Sequence, residues 1–310
     1  MDDWHFDRRA VLKALGVGIT SLSWFPGALA AADNALITKP IPKSGERLPV
    51  IGMGTWRSFN VGRDPKLRKA RTRVLKTFFA SGGRLIDSSP MYGSSQAVVG
   101  HALEQLGMPK QLFSADKVWT GDAAATREQL AASATKWNLD SFDLMQVHNL
   151  VAWEAHLQTL QKMKAAGQLR YVGVTTSHGR RHEELEHVMK TQALDFVQLT
   201  YNIVERRVEQ RLLPLAAERG IAVIVNRPFR GGSLVDRLQS KHPLPKWAKD
   251  VGCSNWPEFL LQFIVSHSAV TCAIPATTKV VHMRENMGAA HGRLPNDETR
   301  KRMLAYFQSL

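Results

Sequence analysis

Two rhythms of apolar and polar positions alternate along most of this chain. Short apolar runs fit buried strands, and stretches with apolar residues every third or fourth position fit amphipathic helices. Ala35-Leu36-Ile37-Thr38 and Leu48-Pro49-Val50-Ile51 flank Pro42-Lys43-Ser44-Gly45-Glu46, a turn signal, so a β-hairpin is expected first. A strand then closes at Gly52-Met53-Gly54-Thr55-Trp56. Helix 67–81 carries Val74, Leu75, Phe78 and Phe79 on one face and stops at Gly82-Gly83. The alternation continues as strand 84–88 with helix 96–106, and strand 112–118 with helix 126–137, capped by Asp122 or Thr126. Strand 142–147 precedes helix 152–166, strand 170–174 precedes helix 181–191, and strand 195–199 precedes helix 208–219. Strand 221–225 leads through an insertion to helix 257–267, and strand 271–274 to helix 280–290. An amphipathic helix at 298–307 ends the chain.

Eight strand–helix units after a hairpin argue a parallel sheet closed on itself. The expected fold is α/β, a (β/α)8 TIM barrel with the N-terminal β-hairpin closing the barrel bottom. No repeat, low-complexity tract or linker divides it, so residues 31–310 are expected to form a single domain.

In such a barrel the strand ends open onto one face, where the chemistry is done. Three successive strand ends here supply Asp87, Lys117 and His148, and Tyr92 follows the first between Pro90 and Gly93. A phenol normally keeps its proton until about pH 10. A neighbouring ammonium favours the phenolate. Lys117, held by Asp87, is therefore expected to make Tyr92 a better proton donor to a carbonyl oxygen, with His148 orienting that oxygen. Taken singly, each residue also fits a structural role: a capping carboxylate, a packing ring, a solvated lysine, a satisfied histidine. All four on one face are hard to explain that way. No zincin, P-loop or G-x-S-x-G pattern competes, and no metal site is expected. No G-x-G-x-x-G follows a strand, so a dinucleotide would not be held in the Rossmann manner.

The formal charge of +14 and pI near 10.0 favour anionic ligands. The basic residues are scattered, and the cluster Lys66 to Arg73 reads as the wet face of one helix. No nucleic-acid motif accompanies them, so no nucleic-acid partner is expected. Beyond the leader no apolar run is long enough to span a bilayer. Cys253 and Cys272, both among apolar neighbours, are expected to be buried free thiols.

The chain opens with Asp7-Arg8-Arg9-Ala10-Val11-Leu12-Lys13. A weakly apolar segment over 14–24 and Pro26-Gly27-Ala28-Leu29-Ala30 follow. A basic pair, an apolar stretch and an A-x-A site form a signal-peptide layout, and the paired arginines resemble a twin-arginine signal. Residues 1–30 are thus expected to be a signal peptide read by the twin-arginine export machinery. The protein would fold in the cytoplasm and work in the periplasm or outside the cell.

From 48 to 290 the chain resembles an aldo-keto reductase. The matching pieces stand in order. They are Ile51-Gly52-Met53-Gly54-Thr55-Trp56, Gly83-Arg84-Leu85-Ile86-Asp87 with Tyr92-Gly93, and Asp116-Lys117-Val118-Trp119. Asp143-Leu144-Met145-Gln146-Val147-His148-Asn149 and Gly167-Gln168-Leu169-Arg170-Tyr171-Val172-Gly173-Val174 come next. Gln198 with Tyr201-Asn202, and Ile274-Pro275-Ala276-Thr277-Thr278 leading to Glu285-Asn286, complete the series. The resemblance implies a catalytic tetrad of Asp87, Tyr92, Lys117 and His148, with Tyr92 the general acid. It implies a small carbonyl substrate and an extended nicotinamide cofactor, NADP(H) favoured and NAD(H) possible.

The resemblance assigns the carboxamide end to Gln198, Asn149 and Thr175, with Thr176 where the family has asparagine. Gly54 and Thr55 join the cofactor set, although Gly52 and Gly54 fit tight strand packing equally. Asn226-Arg227 replaces the family's Tyr-Ser, leaving Phe229 to supply a ring and Arg227 to grip a pyrophosphate oxygen. Thr277, Glu285 and Asn286 would hold the adenosine end, and Lys279, His282 and Arg284 lie near enough for a 2′-phosphate. Trp56 and Trp119 would wall the substrate pocket. Rim loops look short and no long tail follows Ala290, so an open pocket is expected. Two other readings stay open: a nucleotide-binding barrel with a regulatory or redox-sensing role, and a lyase using Lys117 as a Schiff base.

Overall fold

The computed structural model describes residues 35–310. The expected leader, residues 1–30, lies outside them. Strands β1 (Thr38–Pro40) and β2 (Arg47–Pro49) form an antiparallel hairpin with Thr38 opposite Pro49. The first strand thus lies later than the apolar run 35–38 suggested. Leu36 instead bridges to His291.

Eight parallel strands follow: β3 (Met53–Gly54), β4 (Leu85–Asp87), β5 (Phe113–Val118), β6 (Leu144–Val147), β7 (Tyr171–Thr175), β8 (Phe196–Thr200), β9 (Ala222–Asn226) and β10 (Cys272–Ala273). Each pairs with the next in sequence. The Ile51–Ala273 bridge closes the ring, with Gly52 N–H on Ala273 O and Ala273 N–H on Val50 O, both at 2.9 Å. The fold is a (β/α)8 barrel, as the alternation predicts.

The inward positions of the strands build a packed centre of Leu85, Phe113, Leu144, Tyr171, Phe196, Ile224 and Cys272, joined by Ile41 and Leu48 of the hairpin. The hairpin seals the lower end. Glu46 meets Arg84, Arg170 and the Tyr171 hydroxyl, and Lys39 donates to the Val265, His267 and Val270 carbonyls at 2.7 Å each.

The outer helices are α1 (Pro65–Ala80), α2 (Ser95–Gln105), α3 (Thr126–Trp137), α4 (Trp153–Ala165), α5 (His182–Thr191), α6 (Leu212–Glu218), α7 (Ser233–Lys241), α8 (Trp256–Val265), α9 (Val280–Gly288) and α10 (Asp297–Gln308). Their bounds lie close to the periodicity, with three differences. Helix 208–219 divides into a 3₁₀ turn, Arg207–Gln210, and the shorter α6, because Arg211 takes a non-helical φ of −142°. The insertion after β9 contains α7, whose buried side is only Leu234 and Leu238, too thin a stripe to stand out. The rim loop there is therefore not short. Asp122 caps the 3₁₀ turn leading into α3, by accepting from Ala124 N–H, rather than α3 itself.

Arg71 also departs from expectation. It leaves the wet face of α1 and is buried, with Nε on Ser58 O at 2.5 Å and Nη1 on Thr278 O at 3.4 Å. It ties together the loops after β3 and β10, on either side of the barrel seam. Cys253 and Cys272 are free and buried, and burial pushes the Cys253 thiol up to about 12. Among the described residues no helix is long and apolar enough to cross a membrane.

Candidate active site

The ends of β4, β5 and β6 bring Asp87, Lys117 and His148 together, and the 3₁₀ turn Pro90–Tyr92 adds Tyr92. Ser89 starts that turn by accepting from Met91 N–H, and Pro90 fixes its first φ. Gly93 ends it at φ +63°, where an added Cβ would lie 2.5 Å from Asn60 Oδ1. The phenol is thereby pinned over the strand ends.

Lys117 Nζ donates to Asp87 Oδ2 at 2.5 Å and to Ser88 O at 2.7 Å, with both side chains buried. Asp87 Oδ1 accepts from Gln198 Nε2 at 2.9 Å and Gln146 Nε2 at 3.1 Å. Burial works against the Lys117 ammonium, but Asp87 and Tyr92 outweigh it and hold its pKa above the usual lysine value. Lys117 is absent from the lining of the cavity above it. A charged, enclosed amine is no Schiff-base nucleophile, which removes the lyase reading.

The Lys117 ammonium sits 5.1 Å from the centre of the Tyr92 ring, and the Tyr92 and His148 rings meet edge to face at 5.6 Å. Burial of the phenol pushes its pKa up to about 12, against the lowering pull of Lys117. The expected acidification is thus only a partial offset. The phenol keeps its proton at neutral pH, as a proton donor must. Burial, and then Lys117, lower His148 to about 2, so the imidazole is neutral.

Above these groups opens a cavity of about 800 Å³. Asp87, Tyr92 and His148 line one region of it, with Trp56, Met91 and Val151. Gly54, Thr55, Asn149, Thr175, Gln198, Asn226, Arg227, Phe229, Thr277 and His282 also line it. Lys279, Glu285 and Asn286 do not, and Asn286 is buried. Trp119 is 42% exposed outside the lining, its backbone held on both sides by the Gln129 amide.

Several assigned polar groups already have protein partners. Thr55 Oγ1 donates to Asp87 O, Thr175 Oγ1 accepts from Asn149 N–H, and the Gln198 amide nitrogen is turned to Asp87. Asn226 joins Thr200, Thr176 and Gln198 across the strand ends. At Gly54 an added Cβ would lie 2.8 Å from Ile274 O, so tight strand packing requires that glycine.

Sequence reasoning missed Arg57, His178, Arg180, Arg181 and the pair Gly231-Gly232, all of which line the cavity. Arg57 stacks on Trp56 at 4.4 Å, and His178 meets the edge of the same ring at 6.4 Å. Four arginines thus face the cavity, Arg181 being paired with Glu184, and among the described residues the carboxylate that lines it, Asp87, is already paired with Lys117. Arg57, Asn149, Leu150, Ala152, His178, Arg181, Arg227 and Arg230 all have positive φ in loops at this end of the barrel. Left-handed backbone at non-glycine residues is unfavourable and gathers at functional sites. Residue type alone did not reveal it.

A proton-donating phenol set beside a long cationic cleft, at the C-terminal mouth of a TIM barrel, defines a barrel oxidoreductase. Residues 50–302 match the model of the Aldo/keto reductase family, and the chain belongs to that family. It is 28% identical over 268 residues to the methylglyoxal reductase YeaE of Escherichia coli, covering 84% of this chain and 92% of that protein. An NADH-specific methylglyoxal reductase of the same organism is 25% identical over 237 residues, 64% of this chain and 69% of that one. An aldo/keto reductase from Klebsiella pneumoniae, solved with NADP and acetate, superposes with a TM-score of 0.73 at 22% identity, covering 86% and 94% of the two chains.

Proposed function

We propose that this chain is an NADP(H)-dependent reductase that converts a small aldehyde, ketone or sugar carbonyl to an alcohol, with Tyr92 as general acid. The observation that carries this reading is the buried Lys117–Asp87 pair set behind Tyr92 and His148 at the foot of the cationic cavity. The relatives named for reduction of methylglyoxal, a small dicarbonyl, support the substrate class.

The residues present fit a dinucleotide. Four arginines face the cavity, and Arg227 Nε is a buried donor with no hydrogen-bond partner among the described residues. The N-terminus of α7 has no side-chain cap and follows Gly231-Gly232, which line the cavity with open space at each Cβ position. A helix start suits a pyrophosphate, although here the Gly232 and Leu234 N–H groups are already given to Phe229 O. We assign Arg227, Arg57 and this helix start to the pyrophosphate, Phe229 and Thr277 to the walls of the cleft, and His282 to the 2′-phosphate. Lys279 and Arg284, exposed near His282, would add charge there. NADP(H) follows from these cations, and NAD(H) remains the second choice.

When bound, the nicotinamide supplies hydride to the carbonyl carbon. Tyr92 gives its proton to the carbonyl oxygen, and the fixed Lys117 ammonium stabilises the phenolate left behind. Asp87 holds that ammonium and is held in turn by Gln146 and Gln198. His148 hydrogen-bonds the same oxygen, and Trp56 walls the substrate.

Export belongs to the same proposal. The basic pair, weakly apolar stretch and A-x-A site of residues 1–30 support twin-arginine export and a periplasmic or external site of action. That route carries folded proteins, so the cofactor would be loaded before export. The test is to purify the protein from the cell envelope without added nucleotide, sequence its N-terminus, denature it and identify any nicotinamide released. Tyr92→Phe, assayed alongside for carbonyl reduction, should retain cofactor binding and lose turnover. Full turnover by that variant refutes the Tyr92 assignment, and a purely cytoplasmic, uncleaved product refutes export.

A further inference from the structure

Ser89, fully buried like Ser88, joins the Asp87 strand end to the Tyr92 turn, and its hydroxyl takes no direct part in the proton transfer. Its Oγ lies 2.8 Å from His148 Nδ1 and also accepts from Met91 N–H at 3.2 Å. A hydroxyl has one proton to give. With Met91 already donating to the oxygen, the acceptor within reach of that proton is Nδ1. The reverse arrangement would point two N–H groups at one oxygen and leave the hydroxyl proton without an acceptor in a buried site.

The other edge of the ring is different. His148 lines the cavity, yet among the described residues Nε2 has no hydrogen-bond partner and is not one of the buried unpartnered atoms. It therefore opens to the cavity. A neutral imidazole is a donor at one nitrogen and an acceptor at the other, and the bond made by the first decides which.

We propose that Ser89 sets the tautomer of His148: its hydroxyl donates to Nδ1, so the ring carries its proton on Nε2 and presents a hydrogen-bond donor to the substrate oxygen. Ser89 is a positioning residue acting through His148, and the inference rests on the carbonyl-reductase reading for what that donor serves. In the opposite tautomer a lone pair would face the carbonyl oxygen and repel it. The same serine starts the turn that carries Tyr92, so one hydroxyl fixes the direction of both groups that meet the oxygen.

The test is nitrogen NMR of the full chain with NADP⁺ bound and ¹⁵N-labelled histidine, His148 being assigned by its absence from His148→Asn. The expected spectrum shows a protonated Nε2 and an unprotonated, hydrogen-bonded Nδ1. Ser89→Ala should give a mixture of tautomers and a fall in kcat of roughly tenfold or more, short of the 10²–10³ for direct loss of a transition-state donor. Its Kd for NADPH should stay within about twofold, and Ser89→Thr, which keeps a hydroxyl, should restore the single tautomer. A wild-type ring protonated on Nδ1 overturns the proposal, as does a Ser89→Ala variant with unchanged tautomer and rate. The spectrum reads the tautomer whether or not a carbonyl is turned over, so a failed reductase assay and a failed tautomer lock are separate results.

Discussion

Replacing Lys117 by methionine tests the centre of the site. The ammonium makes two short hydrogen bonds, to Asp87 Oδ2 at 2.5 Å and Ser88 O at 2.7 Å, and is sealed from water. Methionine keeps the volume and removes both bonds. Asp87 then stays buried with only the Gln146 and Gln198 amides to face its charge. Breaking one side of a buried ion pair costs about 3–5 kcal/mol. At about 2–4 °C per kcal/mol for a domain of roughly this size, Tm should fall by about 6–20 °C. The double variant Asp87→Asn/Lys117→Met buries no charge and should regain about 2–3 kcal/mol relative to the single, a strong coupling in a double-mutant cycle. Catalysis follows the same logic. Loss of the cation that pulls the Tyr92 pKa down should move the alkaline limb of the pH–rate profile upward and lower kcat. Urea unfolding and pH–rate profiles of wild type, both singles and the double are sufficient. Additive stability losses, together with an unmoved alkaline limb, would refute the reasoning.

Acid should destabilise the fold through His148. Its pKa is lowered to about 2 in the folded state, so between pH 6.5 and 2 the unfolded chain binds the extra proton. Stability present above pH 6.5 is then lost at up to about 1.4 kcal/mol per unit as pH falls through that window. His148→Asn should show a shallower slope in urea melts at pH 4–7. Arg227→Ala and Arg57→Ala should each raise the Kd for NADPH about tenfold and flatten its salt dependence, read by fluorescence titration; unchanged values move the pyrophosphate elsewhere. Gly54→Ala should cost about 1–3 kcal/mol, since its Cβ would sit 2.8 Å from Ile274 O at the barrel seam, and thermal melts measure this directly.

The parts of the site legible in the sequence are those fixed by strand period. Asp87, Lys117 and His148 follow from where apolar runs end, and a closed parallel barrel leaves those ends one place to meet. Loop directions were not legible. Trp119 follows β5 by a single residue, yet Gln129 binds its N–H and carbonyl and the ring stands outside the cavity. Arg71 read as one basic residue among several on α1, and only the loop carbonyls of Ser58 and Thr278 explain its burial. The acidity of Tyr92 went astray for a further reason. The sequence supplies the neighbouring cation but not the burial, and here burial is the larger effect.

These differences sort the charges of the site into two layers with different duties. Lys117 and Asp87 lie on strands and are buried, the ammonium held by Asp87 Oδ2 and Ser88 O, and Asp87 Oδ1 held by the Gln146 and Gln198 amides. Their geometry can hardly change without opening the barrel. The arginines lie higher, on loops whose backbone at Arg57, Arg181, Arg227 and Arg230 is left-handed; Arg181 is held by Glu184 and the Asn149 carbonyl, and Arg230 by Glu205. Repulsion from Arg230 and Arg57 adds to burial in pushing the Arg227 pKa down, against the raising pull of Glu205. An anionic ligand relieves that repulsion and the strands have nothing to gain from it. Ligand binding should therefore order the upper layer while leaving the proton-transfer layer as it stands, so that affinity and chemistry can vary separately in this barrel.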